Sequence, residues 1–138
     1  MIAFAAFCLF LVGCEANYKD VSDDPDFLGY TGQSYRLKKD MLMIGVNLPP
    51  GYGQTIDAYY LRKLYEVEHK GREYITRDIL PKGSKFTIQE VYECTNCLSF
   101  GGSHHVYVDT EDFKKQVDVP IRVKLREITS EESVERIE

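Results

Sequence analysis

The sequence predicts a small, mainly β domain that is either a barrel or a compact sandwich of about six short strands. Several runs alternate apolar and polar residues, as half-buried strands do. Turn residues separate those runs at short intervals. The 138-residue chain also contains ten tyrosines and no tryptophan. Tyrosine suits such strands because its ring packs against neighbours while its hydroxyl reaches water.

The first strands are expected near the start of the folded domain. Residues 35–38 alternate apolar and polar side chains, and Met41–Val46 is an apolar run suited to burial. Residues 55–62 fit a helix and a strand equally well. Residues 63–69 favour a strand, because Lys70-Gly71 separates them from a second alternating run, as in a hairpin.

The loop at residues 45–53 contains Pro49, Pro50 and Tyr52. Its glycines and prolines mark it as a connection between strands. An exposed tyrosine in a loop is a common contact residue of protein interfaces. These three residues are therefore a candidate partner-binding loop, with a plain connection as the alternative.

The clearest local signal is the turn Leu80-Pro81-Lys82-Gly83, which leads into an alternating strand at residues 86–93. Proline fixes φ for the turn, and the glycine tolerates a positive φ. Such a turn before such a strand resembles the bacterial SH3-like small barrels, over residues 35–128. The resemblance implies a barrel. It implies no binding of proline-rich peptides, because the chain lacks the tryptophan of the peptide-binding SH3 groove.

The C-terminal part of the domain should contain a short strand at residues 106–108 and a helical turn at residues 110–115. The last strand is expected at residues 119–128, with Pro120 at its start, where no ladder donor is lost. Residues 129–138 form an acidic tail that opens with a capping-box pattern. We expect this tail to be a frayed helix or disordered.

At the N-terminus, the apolar run of residues 2–12 ends in Leu11-Val12-Gly13-Cys14. The run is about half of the ~20 residues that cross a bilayer core, and it fits the h-region of a secretory signal. The four residues resemble the lipobox of bacterial lipoproteins. The resemblance implies cleavage before Cys14, a diacylglyceryl group on its thiol and acylation of the new amino end. An ordinary secretory signal and an uncleaved anchor are the alternatives.

This interpretation divides the chain into four parts. They are a signal peptide (1–13), a lipidated N-terminus with a flexible tether (14–33), a β domain (34–128) and the acidic tail (129–138). The tether is expected because its polar, turn-rich sequence cannot offset the entropy of ordering itself. Docking of Phe27, Leu28 and Tyr30 onto the domain is the alternative.

The lipid anchor would decide where the protein is found, because two or three acyl chains hold a protein on a membrane essentially permanently. Glu15 follows the cysteine, where the family uses aspartate to retain lipoproteins in the inner membrane. The outer membrane, facing the periplasm, is therefore expected in preference to the inner membrane, which stays the alternative.

Cys94 and Cys97 are separated by two residues, and His104 and His105 follow after a glycine-rich stretch. In an oxidising compartment two such cysteines normally form a disulfide, which is the expected state. The alternative is a metal-binding or thiol-redox module, since Cys and His are the usual zinc ligands. The two histidines would point to opposite faces of a strand, so only one would join the thiolates, and the fourth ligand would be His69 or water.

The formal net charge is −5, every charged residue lies after Cys14, and the two signs are interspersed. A nucleic-acid partner is not expected, because no basic patch is visible. No motif in the sequence indicates a particular enzymatic reaction. The sequence therefore predicts a non-enzymatic, lipid-anchored envelope protein that needs no cofactor and binds another envelope component.

Overall fold

The computed structural model describes residues 17–48, 53–64, 74–97 and 104–137. These parts of the chain contain nine strands and one short helix, so the prediction of a mainly β fold is confirmed. The elements are β1 (Tyr18–Asp20), β2 (Ser34–Leu37), β3 (Met41–Val46), β4 (Ala58–Lys63), β5 (Tyr74–Leu80), β6 (Lys85–Cys94), β7 (His104–Asp109), β8 (Ile121–Lys124), α1 (Leu125–Ile128) and β9 (Val134–Ile137).

The nine strands form one mixed sheet in the order β5, β3, β4, β8, β7, β6, β2 and β9. β1 lies off this path and pairs with β6. β4 and β8 are parallel, and the other pairs are antiparallel. β6 pairs with β7 along one edge, while β1 and β2 share its other edge. The described strands thus make a single sheet, not the two sheets of a sandwich. There are nine of them, more than the six or so that the sequence predicts.

One large cluster of buried apolar side chains lies on one face of this sheet, which we call the inner face. Every strand except β1 contributes to it, together with Val21, Ile56 and Ile128. Because these side chains form one contacting cluster, the sheet curls around them. Removal of this apolar surface from water is the main driving force for the fold.

A smaller cluster lies on the opposite, outer face. It consists of Leu42, Ile44 and Val46 from β3 and Ala58 from β4. All six residues of β3 are therefore buried, as the apolar run predicts. β2 also follows its predicted alternation, since Tyr35 and Leu37 are buried.

β6 departs from simple alternation. Phe86 and Ile88 enter the inner core, but the register with β7 shifts between Ile88 and Glu90. After this bulge Val91 enters the core, and Glu90 and Tyr92 lie on the outer face. The predicted alternation is wrong from the bulge onward, because one extra residue inverts the pattern. The turn before β6 is as predicted, and its Gly83 has a φ of 91°.

The segment predicted as a tether belongs to the domain from Tyr18 onward. β1 pairs with the end of β6, and Val21 is only 2% exposed. Phe27 and Tyr30 pack against the same core, as the docking alternative proposed, whereas Leu28 is exposed. The predicted domain boundary at residue 34 is therefore wrong. The polar segment is ordered by its pairing with β6, which its own composition does not reveal.

The predicted acidic tail is also part of the sheet. β9 pairs with β2, and Val134 is buried. The strand predicted to reach residue 128 ends at Lys124, where α1 follows. Thr129 does not open a capping box; its N–H donates to the carbonyl oxygen of Leu125 at 3.1 Å, as the C-cap of α1.

The helical turn predicted for residues 110–115 does not form. The hydroxyl of Thr110 donates to the carbonyl oxygen of Lys85 at 2.6 Å, and the carboxylate of Asp112 accepts the Lys85 N–H at 2.7 Å. Side chains that bind backbone groups in this way compete with helix formation. Pro120 directly precedes β8, and its carbonyl oxygen accepts the N–H of Tyr59 at 2.8 Å.

Among the described residues, the helix content is a single turn of four residues, and no helix is long and apolar enough to cross a membrane. β4 includes residues 58–62 of the stretch that fitted both a helix and a strand, together with Lys63. Residues 65–69 and the predicted hairpin turn at Lys70-Gly71 lie outside the described residues.

Candidate functional site: a tyrosine and arginine face

The outer face of the sheet carries two neighbouring rows of polar and aromatic side chains. In the first row, Tyr107 of β7 lies between Glu90 of β6 and Arg122 of β8, and Arg122 lies opposite Tyr60 of β4. Residues two apart on a strand share a face. The register thus gathers on one surface residues that are distant in sequence.

The second row lies beside the first, two residues along each strand. His105 of β7 is flanked by Tyr92 of β6 and Lys124 of β8, and Asp20 of β1 continues the row beyond Tyr92. Arg62, two residues after Tyr60, stacks on the Tyr60 ring with its guanidinium carbon 5.5 Å from the centroid. We call this surface the tyrosine–arginine face. It comprises Tyr18, Asp20, Tyr60, Arg62, Glu90, Tyr92, His105, Tyr107, Arg122 and Lys124.

Arg122 is the centre of this face. Its guanidinium carbon lies 5.3 Å from the ring centroid of Tyr107 and 5.9 Å from that of Tyr18. Its Nη1 donates to the hydroxyl of Tyr60 at 3.4 Å. Cation–π contacts of this kind hold a guanidinium in place without neutralising its charge. Nε of Arg122 is buried and has no hydrogen-bond partner in the described part of the chain.

Tyr18 brings the N-terminal segment into the face. Its ring meets the His105 ring edge-on, with the centroids 5.5 Å apart, and 39% of the residue is exposed. Burial, together with the nearby Tyr60, raises the pKa of the Tyr18 phenol. Tyr18 therefore remains a neutral hydrogen-bonding group at physiological pH.

Tyr92 and Tyr107 extend the aromatic surface, with ring centroids 4.4 Å apart. The Tyr92 hydroxyl donates to the carboxylate of Glu90. This hydrogen bond, with a smaller effect of burial, raises the pKa of Tyr92 well above its usual range. The two rings are therefore fixed by contact with one another, and the Tyr92 hydroxyl stays protonated.

His105 lies among the cations of this face. Burial and, to a smaller extent, the nearby Lys124, Arg122 and Arg62 lower the pKa of His105 to about 4. His105 is therefore uncharged at neutral pH. Its Nδ1 is buried without a hydrogen-bond partner among the residues that the structure describes.

The cysteine cluster lies at one end of this face, where β6 ends. The structure brings Cys94 and Cys97 to disulfide distance, with their Cα atoms 5.6 Å apart, as the predicted disulfide requires. The loop between them is attached to the N-terminal segment. The N–H of Asn17 donates to Oδ1 of Asn96 at 2.7 Å, and the Thr95 N–H donates to the Asn17 carbonyl oxygen at 2.9 Å.

The two candidate histidines belong to different faces, as the sequence predicts. His105 contacts Tyr18 on the outer face. His104 contacts the ring of Phe27, at a centroid distance of 4.7 Å, and its Nε2 lies 3.7 Å from a carboxylate oxygen of Glu93. The two imidazoles of β7 therefore lie in separate environments, on opposite faces of the sheet.

The structure does not bring together the residues of the alternative metal site. The sulfur atoms of Cys94 and Cys97 bond each other and are not thiolate ligands. Across residues 17–48, 53–64, 74–97 and 104–137, no group of three or more His, Cys, Asp or Glu side chains is placed to hold a metal ion. His69, the distant ligand considered, lies outside the described residues, as does Cys14.

The described residues of the candidate partner-binding loop form its base. Asn47 is buried there, and its Nδ2 donates to the Thr55 carbonyl oxygen at 2.8 Å and to the Asp57 carboxylate at 2.9 Å. Its Oδ1 accepts the N–H of Gly53 at 2.8 Å. The residues of the proposed contact itself lie outside the described ones: Pro49, Pro50 and Tyr52.

Sequence reasoning missed the tyrosine–arginine face, although a signal for it exists. Four strands each carry a pair of polar or aromatic residues two positions apart, and the pairs are Tyr60 and Arg62, Glu90 and Tyr92, His105 and Tyr107, and Arg122 and Lys124. Each pair alone is typical of a solvated strand face. Only the strand order and register show that the four pairs adjoin.

The chain matches no known protein-family model, and no curated protein and no solved structure is similar to it. The resemblances to lipoproteins and to SH3-like barrels therefore stay predictions.

Proposed function

We propose that the protein is a non-enzymatic, lipid-anchored binding protein of the bacterial cell envelope, held through Cys14 with its domain in the periplasm. The observation that carries the binding role is the tyrosine–arginine face. Tyrosine and arginine are the residue types enriched at the energetic centres of interfaces. On this face they stand on a rigid sheet and are fixed by mutual contacts.

The charge states on the face favour binding over proton transfer. A general acid or base works best with a pKa near the operating pH. His105 has a pKa of about 4, and that of Tyr92 is shifted far above its usual range. Each group therefore keeps one protonation state near pH 7. Fixed cations beside neutral phenols suit an anionic ligand.

The proposed location is supported by the lipobox and by the disulfide. Disulfides persist in oxidising compartments such as the periplasm. The bond between Cys94 and Cys97 also leaves no thiol in the described part of the chain, which has no other cysteine.

The anchor is tested by the intact mass of protein purified from membranes, before and after reduction and alkylation. We expect a chain that starts at Cys14, carries acyl chains and has two sulfurs protected until reduction. An unlipidated chain would overturn the proposed anchor.

The binding face is tested by cross-linking in intact cells. A photo-reactive amino acid is placed at the position of Arg62, on the face, or at that of Lys82, an exposed control in the turn before β6. We expect cross-links to an envelope component from the first position only. Cross-links from the control position alone would contradict a binding role for this face.

A further inference from the structure

We infer that the tyrosine–arginine face lies against the leaflet that holds the lipid chains of Cys14 and binds its anionic head groups. The inference rests on the proposed anchor, and it names the ligand of the proposed binding face. It follows from the length of the linker, the position of Tyr18 and the distribution of charge.

The linker between lipid and domain is very short. The fold holds Asn17 by hydrogen bonds in both directions to the loop of residues 95–96. Only Glu15 and Ala16 separate Asn17 from Cys14. A chain spans at most about 3.6 Å per residue, so the Cα atoms of Cys14 and Asn17 are at most about 11 Å apart. The domain therefore cannot move away from the surface that holds its lipid.

The tyrosine–arginine face begins at the next residue. Tyr18 follows the attached Asn17 directly, and its ring covers His105 and Arg122. The face is thus the part of the sheet surface that the anchor brings nearest to the bilayer. Tyrosine is enriched at membrane interfaces, because its ring prefers the apolar side and its hydroxyl the aqueous side.

The distribution of charge favours the same orientation of the domain on the leaflet. The whole chain has a net charge of −5, so an anionic leaflet repels most of its surface. On the tyrosine–arginine face, the cations Arg62, Arg122 and Lys124 outnumber the carboxylates Asp20 and Glu90. Because salt screens charges over about 8 Å, only groups close to the leaflet contribute to its attraction. The domain is therefore attracted through this face.

The test uses the mature lipidated protein, after its mass has confirmed the lipid. It is placed in detergent micelles, in nanodiscs of phosphatidylcholine, and in nanodiscs that also contain phosphatidylglycerol. Amine acetylation and tyrosine nitration are then read by mass spectrometry. We expect Lys124, Tyr18 and Tyr107 to lose reactivity in the anionic nanodiscs only, and to regain it in high salt. The remote Lys82 and Lys114 should react equally in all three.

Two variants with the same change in net charge complete the test. Arg62→Gln/Lys124→Gln removes two cations from the face, and Lys82→Gln/Lys114→Gln removes two exposed cations elsewhere. The first should lower the ratio of docked to undocked protein at least about tenfold, from the usual contribution of a Lys or Arg at an anionic surface. It should restore the nitration of Tyr18 and Tyr107, whereas the second variant should behave as the unchanged protein.

Several outcomes would overturn the inference. Equal reactivity in all three environments would show that the face does not lie on lipid. Equal protection in both kinds of nanodisc would exclude a role for anionic head groups. The same labelling is also carried out on isolated envelopes. Protection there but in neither nanodisc would identify a protein or glycan as the ligand, and would leave the proposed binding role intact. A missing lipid on Cys14 would remove the proposed anchor and this inference with it.

Discussion

The inner and outer faces of the sheet are made by the same strands but differ in chemistry. On the inner face, Ile88, Val106 and Ile121 are fully buried and apolar. On the outer face, the neighbouring residues are half-buried tyrosines, cations and a histidine, and two buried nitrogen atoms have no hydrogen-bond partner in the described chain. Such atoms cost stability. We expect the inner face to contribute most of the stability of the fold, in line with the proposed binding role of the tyrosine–arginine face.

The largest effect should come from the inner face. Phe86 is almost completely buried and stacks on Tyr35, with the centroids 5.8 Å apart. Phe86→Ala should lower the free energy of unfolding by about 3–5 kcal/mol, through lost burial and a cavity. Tyr107→Ala on the outer face should cost only about 1–2 kcal/mol. Urea denaturation of both variants measures the contrast, and equal losses would contradict the division between the two faces.

The next largest loss of stability should come from a substitution of Gly45. A Cβ at Gly45 would collide with Oγ1 of Thr76 and would lie 2.9 Å from Cδ1 of Ile56. Gly45→Ala should therefore destabilise by up to about 3 kcal/mol, as overpacking does. Thr76→Ala removes one of the two obstacles. The double variant should recover part of the loss in a denaturation cycle, and strict additivity would show that the two residues do not collide.

The last strand tests whether the predicted tail belongs to the core. Val134 is buried in the inner cluster, so Val134→Ala should cost about 2 kcal/mol. Its neighbour Glu135 forms a surface ion pair with Arg36, and such pairs contribute little. Glu135→Ala should change the free energy of unfolding by less than about 0.5 kcal/mol. If both variants were neutral, β9 would not stabilise the domain.

The smallest effect should depend on pH and should come from the outer face. The pKa of His105 is about 4, below the usual value of 6.5 for histidine. Because the unfolded chain takes up this proton first, His105 contributes stability above pH 6.5, and the contribution is lost as pH falls towards 4. After a discount for partial solvent exposure, we expect about 1 kcal/mol. Between pH 7 and pH 5, the free energy of unfolding should fall less for His105→Gln than for the unchanged protein. Paired urea titrations at the two pH values measure this difference. An identical pH dependence of the two proteins would argue against the lowered pKa of His105.

Local sequence predicts the parts of this fold that depend on local chemistry. The alternation at Tyr35 and Leu37, the apolar β3 and the turn at Gly83 each follow from residues a few positions apart. The disulfide follows from the spacing of Cys94 and Cys97 and the expected compartment. These features need no knowledge of the strand order.

The remaining features depend on partners that are far away in sequence. β1 and β9 are short and rich in charged residues. They are ordered by their pairing with β6 and β2. The bulge before Glu90 exchanges the two faces of β6 without a glycine or proline to mark it. The tyrosine–arginine face requires the register of β4, β8, β7 and β6, which no local pattern contains.

The two ends of the chain complete the sheet, and this has a consequence for the order of events in biogenesis. Arg36 of β2 and Glu135 of β9 are 99 residues apart, so their pairing must wait until nearly the whole chain is available. Pairing over such separations makes folding slow, on the scale of milliseconds to seconds. If the chain is exported from its N-terminus and lipidated at Cys14, as we propose, Cys14 reaches the lipidation machinery before β9 can pair with β2. The protein would then be fastened to its membrane first and would fold there afterwards.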